Sequence, residues 1–112
     1  MKIQTKVGTQ GYDSIFLEGD LDFHSSPEVR TELSKLVDRQ SKKILVDLRK
    51  VSYIDSSGLA TFVELFQKMK RYGGILVLFG LSQGVRSVFE IAKLDSIFKL
   101  AKDEQEALSL VS

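Results

Sequence analysis

Asp55, Ser56, Ser57 and Gly58 follow directly on an apolar run, Ile44-Leu45-Val46-Asp47-Leu48, and its connector, Val51-Ser52-Tyr53-Ile54. They precede a periodic apolar series, Leu59, Phe62, Val63, Phe66, Met69. The pattern places two hydroxyls and a carboxylate where a strand hands over to a helix N-terminus. The first N–H groups of a helix have no intrahelical partner, and the helix dipole favours negative charge there. A serine at such a place can cap the helix. The bare N–H groups can also receive a phosphate carried by that serine. The spacing thus supports two readings, a structural cap with Gly58 allowing close packing or a phosphorylation switch.

Other chemistry finds less support. His24 is the single histidine, and a nucleophilic set can be written only as Ser56, His24 and Asp22 or Asp55, without the G-x-S-x-G pattern of a nucleophile elbow. There is no cysteine, which excludes disulfides, thiol catalysis and thiolate metal sites. One histidine without cysteine argues against zinc. Asp20, Asp22, Asp47 and Asp55 are the carboxylates a magnesium ion would need, and they read as loop and cap residues. Neither G-x-x-x-x-G-K-[ST] nor G-x-G-x-x-G occurs. No catalytic residue, metal or cofactor is expected.

Composition narrows the partners. The 112 residues suit one domain, 1–112, and 43% hydrophobic with 28% charged residues is an ordinary globular mixture. A net charge of +1 gives no electrostatic case for nucleic acid. The opening residues alternate in polarity without the apolar core of a signal peptide. The longest apolar run, Ile75 to Phe79, is far short of the ~20 residues that span a bilayer. A cytoplasmic protein that does not engage a membrane is expected.

The elements that must position Asp55 to Gly58 follow from periodicity and punctuation. Ile3, Thr5 and Val7 alternate as a strand, Gly8-Thr9-Gln10-Gly11 reads as a tight turn, and Tyr12 to Glu18 as a second strand of a hairpin. Gly19 to Phe23 leaves that strand. Ser25 and Glu28 spell a capping box around Pro27, with Val29, Leu33, Leu36 and Val37 on one stripe. Lys43 to Leu48 reads as a strand buried on both faces. A helix is expected from Ser56 to about Tyr72, stopped by Gly73-Gly74. Ile75 to Phe79 is a fourth strand. Ser82 caps a helix with Val85, Val88, Phe89 and Ala92 inward, Ile97 to Leu100 is a short last strand, and Asp103 to Glu106 opens a closing helix carrying Ala107, Leu108 and Val111. The order β-β-α-β-α-β-α-β-α implies an α/β fold: a hairpin, then a mixed, mostly parallel sheet of about five strands with about four helices.

Taken together, these segments resemble the STAS domain of bacterial anti-sigma factor antagonists over nearly the whole chain. Gly19-Asp20-Leu21-Asp22 is similar to the family's G-x-L-D element, and Asp55-Ser56-Ser57-Gly58-Leu59 to its phosphorylation motif. Gly73-Gly74 before an apolar strand, then Val85, Phe89, Leu94 and Phe98, are similar to its C-terminal half. The resemblance implies a single STAS domain that binds an anti-sigma factor, itself a serine kinase of the histidine-kinase-like ATPase type, and so frees a sigma factor. It implies phosphorylation at Ser56, reversed by a phosphatase of the PP2C class, and a partner-binding set of Asp22, Asp55, Ser56, Ser57 and Gly58. The alternative is a STAS scaffold or sensor module without a switch, serving a small molecule, lipid-transport machinery or a signalling complex, in which Ser56 is mainly a cap.

Overall fold

Every strand of the sheet lies beside its neighbour in sequence. The computed structural model describes residues 1–8 and 11–111. Its strands are β1 (Lys2–Lys6), β2 (Asp13–Leu21), β3 (Lys43–Ile54), β4 (Ile75–Phe79) and β5 (Lys99–Ala101), in that spatial order. β1 pairs antiparallel with β2, and the remaining pairings are parallel. The helices are α1 (Ser26–Asp38), α2 (Ser56–Arg71), α3 (Gln83–Ile91) and α4 (Glu104–Val111). This is the α/β architecture expected from the order of the elements. Thr9 and Gln10 of the expected turn lie outside the described residues.

Alternation along the strands divides the core. Ile44, Val46 and Leu48 of β3 face one side, with Ile15 and Leu17 of β2 and Leu76 and Leu78 of β4. α1, α2 and α3 cover that side through Val29, Leu33 and Leu36, through Phe62, Leu65 and Met69, and through Val85 and Phe89. Leu45, Val77 and Phe79 face the other side, which α4 covers with Ala107 and Val111. The β1–β2 half of that second face stays open, with a hollow beside α4 lined by Gln4, Lys6, Phe16, Arg49 and Glu104.

β3 departs from a simple strand twice. Its register against β2 runs Phe16↔Asp47 then Glu18↔Lys50, and Gly19↔Val51 then Asp20↔Tyr53. At each step β3 gains one residue on its partner, as a β-bulge does. Leu48, Val51 and Ile54 are consequently all buried although they stand three apart, a spacing that a period of two forbids in an unbulged strand. Both strands therefore outlast their expected ends at Glu18 and Leu48, and carry the chain in ordered pairing up to Leu21 and Ile54.

Two further boundaries shift. β5 starts at Lys99 and Ile97 is half exposed, because Phe98 takes the buried place, edge-on to Phe66 and Phe89 with ring centroids 5.5 and 5.7 Å apart. α3 ends at Ile91, so Ala92, its C-cap, is exposed instead of inward.

α2 is held at its far end by two devices. Gly74 N–H donates to the Met69 carbonyl at 2.8 Å and Gly73 N–H to the Lys70 carbonyl at 3.3 Å, with Gly73 at φ +78°. That is a Schellman stop, and its left-handed position suits glycine. Tyr72 then donates its hydroxyl to the Ser41 carbonyl at 2.9 Å, while the Ser41 hydroxyl donates to the buried Asp13 at 2.5 Å. Burial, and secondly the Asp13 charge, push the Tyr72 phenol above its usual range.

Candidate functional site

The site lies where β2 and β3 end. Leu21 pairs with Ile54, and the Asp55 N–H donates to the Leu21 carbonyl at 3.1 Å, so the two strand ends are tied as the chain turns into α2. Asp55 is the N-cap. Its backbone is extended (φ −111°, ψ −172°), and its Oδ1 accepts from the N–H groups of Ser57 at 2.8 Å and Gly58 at 3.1 Å. A carboxylate at this place satisfies two orphan donors and complements the dipole.

This corrects the expectation that serine caps the helix. Ser56 is the first helical residue, and its exposed hydroxyl has no hydrogen-bond partner among the described residues. The expectation of bare N–H groups is corrected with it, because Asp55 already takes up those of Ser57 and Gly58. Ser57 is half-buried, and its carbonyl accepts from the hydroxyl of the buried Thr61 at 2.9 Å.

Gly58 is buried between the two strand ends. A Cβ there would lie 2.7 Å from Ile54 Cγ1, 2.8 Å from Leu21 Cγ and 3.0 Å from the Leu21 carbonyl oxygen. The helix can sit this close to the sheet only because residue 58 has no side chain, so Gly58 fixes the height at which Ser56 is presented.

Asp22 shapes the neighbouring loop. Its Oδ1 accepts from the N–H groups of His24 at 2.9 Å and Ser25 at 3.2 Å. Partial desolvation works to raise its pKa. The N–H groups of Ser25 and His24, the His24 ring and the Ser25 hydroxyl outweigh this, and the carboxyl titrates below its usual range. The capping box of Ser25 and Glu28 is absent. Ser25 is the N-cap residue of α1, but it is already helical in its backbone (φ −93°, ψ −22°) and makes no side-chain cap. Its hydroxyl instead donates to the Asp20 carbonyl at 2.8 Å and accepts from the Asp22 N–H at 3.0 Å.

The remaining candidates are placed apart from any catalytic set. The His24 ring stacks on Phe23 with centroids 4.1 Å apart, and no hydrogen bond joins it to Ser56 among the described residues. Asp47 is held by Arg49, with Nη2 2.7 Å from Oδ2 and Nε 3.0 Å from Oδ1, and this pairing keeps the guanidinium pKa raised. Among the described residues no cluster of three or more histidines or carboxylates is arranged to hold a metal ion, and no helix is long and apolar enough to cross a membrane.

Sequence reasoning missed one feature of this end of the molecule, the bulge that skips Ser52 in the pairing of β3 with β2 and leaves both Ser52 and Tyr53 exposed. The three-residue spacing of Leu48, Val51 and Ile54 was its only trace in the sequence.

Comparison with known proteins adds to this geometry. The family model described as the STAS domain matches residues 6–107. The anti-sigma-B factor antagonist of Listeria monocytogenes is 33% identical over 106 residues, covering 95% of this chain and 93% of its own length. That of Bacillus subtilis is 37% identical over 89 residues, covering 79% and 81%. Among solved structures, the anti-sigma factor antagonist SpoIIAA in its unphosphorylated form superposes with a TM-score of 0.76 over 98% of this chain and 97% of that one. The phosphorylated form of Bacillus SpoIIAA gives 0.77 over 99% and 100%, each at 24% identity, a likeness of fold.

Proposed function

The chain belongs to the STAS domain family, and on that premise we propose that it is an anti-sigma factor antagonist switched at Ser56. Unphosphorylated, it binds an anti-sigma factor that is also a serine kinase of the histidine-kinase-like ATPase type, and thereby releases a sigma factor. In the kinase reaction the Ser56 Oγ attacks the γ-phosphorus of ATP. The new O–P bond forms as the bond to the β–γ bridging oxygen breaks, ADP leaves, and the hydroxyl proton passes to a base on the kinase. A PP2C-class phosphatase hydrolyses the phosphoester and restores the binding form. In this role residues 1–112 act as one domain, in the cytoplasm.

The observation that carries the proposal is the state of Ser56: exposed, its hydroxyl without a hydrogen-bond partner among the described residues, and held at the first position of a helix whose cap is supplied by another residue. A hydroxyl with no structural duty is free to be modified. The phosphate adds roughly −1.5 to −2 charges beside Asp55, whose carboxylate already takes the Ser57 and Gly58 N–H groups, so it stays facing outward. Its effect then falls on the partner, where the nucleotide phosphates of the kinase and a dianion on Ser56 repel each other.

The test is incubation with the kinase and ATP followed by mass spectrometry, then titration calorimetry of both forms against the kinase. One phosphate on Ser56 and at least tenfold weaker binding, about 1.4 kcal/mol, with unchanged far-UV circular dichroism, is the expected result. Equal affinities of the two forms would favour the scaffold module instead.

A further inference from the structure

We infer that Phe23 and Tyr53 are the aromatic anchors of the docking surface around Ser56, and that the partner meets them with an apolar recess ringed by lysine or arginine. The inference rests on the proposed anti-sigma partnership and assigns that partner's surface chemistry.

Two large aromatic side chains are left in water at this end of the molecule, Phe23 at 65% and Tyr53 at 53% exposure. Neither is a loose surface residue. The bulge at Ser52 lets Ile54 stay in the core while Tyr53 turns out; in an unbulged strand Tyr53 would share the inward parity of Val51. Bulges commonly re-aim a side chain beside functional sites. Phe23 is held by the Asp22 turn and backed by the His24 ring at 4.1 Å. Both residues belong to the segments tied at Leu21 and Asp55. Three Cα–Cα steps of ~3.8 Å keep Tyr53 within about 11 Å of Ser56. A standard interface, at ~800 Å² per partner, easily spans them, and aromatic residues are enriched among those that dominate such interfaces.

Charge identifies the occupant. Residues 19–29 and 51–62 contain Asp20, Asp22, Glu28 and Asp55 and not one lysine or arginine, although the whole chain carries 16 basic and 15 acidic residues. Arg30 and Lys50, which flank these stretches, are exposed, and Arg30 is paired with Glu64 at 3.1 Å. The carboxylates on the segments that carry the two aromatic rings are complementary to lysine or arginine around an apolar recess.

Titration calorimetry of the purified ATPase-type anti-sigma kinase from the same genome against wild type, Phe23→Ser, Tyr53→Ser and Ile91→Ser tests this at two salt concentrations. Ile91 is 83% exposed, at the opposite end of α3, and lies outside the proposed surface. Phe23→Ser and Tyr53→Ser are each expected to weaken binding at least about tenfold, Ile91→Ser to leave it unchanged, and added salt to weaken wild-type binding. Hydrogen exchange of the wild-type complex, which needs no variant, should show new protection over residues 21–24 and 51–54. Aromatic variants that bind like wild type, or an equal loss in Ile91→Ser, overturn the assignment and leave the parent reading standing. A wild-type chain without affinity for the kinase removes the parent reading and this one together.

Discussion

The main-chain N–H of Asp55 donates to the carbonyl of Leu21 at 3.1 Å, so the residue that caps α2 is itself anchored to the last residue of β2. Helix start, strand end and Ser56 are thereby one rigid corner.

The cap divides the effects of neighbouring substitutions. Ser56→Ala is expected to unfold in urea within about 0.5 kcal/mol of wild type, to keep its affinity for the kinase, and to take up no phosphate. Asp55→Ala is expected to lose about 0.5–2 kcal/mol, with much of it restored in Asp55→Asn. A larger loss in the serine variant would return the capping role to Ser56, and stoichiometric phosphate on Ser56→Ala would move the acceptor to Ser57.

Gly58→Ala should cost about 1–3 kcal/mol, the usual penalty for overpacking, since the added methyl meets Ile54, Leu21 and the Leu21 carbonyl oxygen at 3.0 Å or less. The flexible Ile54 and Leu21 ends can yield, but the carbonyl is backbone. Displacement of the first turn should also slow phosphorylation of Ser56, which initial rates with the kinase would reveal. A variant with wild-type stability and wild-type rate would mean that the helix slides outward at no cost.

The apolar stripe of α2 is graded. Phe62 is fully buried, whereas Phe66, read from the sequence as equally inward, is half-buried and rests edge-on against Phe98. Phe62→Ala should destabilise by about 3–5 kcal/mol and Phe66→Ala by less. Thermal melts of the two variants decide the order, and a Phe66 effect as large as that of Phe62 would contradict this grading.

Asp22 sets an acid limit on its loop. Its pKa is depressed in the fold, so its contribution is fully present above the unfolded value of ~3.9 and is lost as pH falls through the lower folded value. Followed from about pH 5 downward, under the range in which an ordinary imidazole titrates, the His24 and Ser25 amide resonances should hold their positions through the ordinary carboxylate range and move only below it. Amide shifts that move with a midpoint at or above the usual Asp value would show that the carboxylate does not hold the loop.

The alternating elements were legible because each has its own period, 3.6 for α2 and continuous apolarity for Ile44 to Leu48. The cap was not. Asp, Ser and Ser stand in a row, all are good N-cap residues, and only the turn of the backbone at Asp55 selects among them. Ser25 misled for a related reason: its hydroxyl had a capping-box spacing to Glu28, but the Asp20 carbonyl and the Asp22 N–H claimed it first. The bulges of β3 were hidden because an inserted residue breaks the period that defines a strand. The Ser56 position itself was plain from the order of residues alone.

The strand order β1 to β5, the same in space as along the chain, bears on how the molecule comes into being. No strand has to be inserted between two that have already paired. Each crossover returns beside the strand just left, and the loops to be closed stay short. A chain emerging from the ribosome can extend the sheet from one side only, as each segment appears. The corner bearing Ser56 belongs to the β2–β3 step, and it can take shape before α4 exists to cover the opposite face.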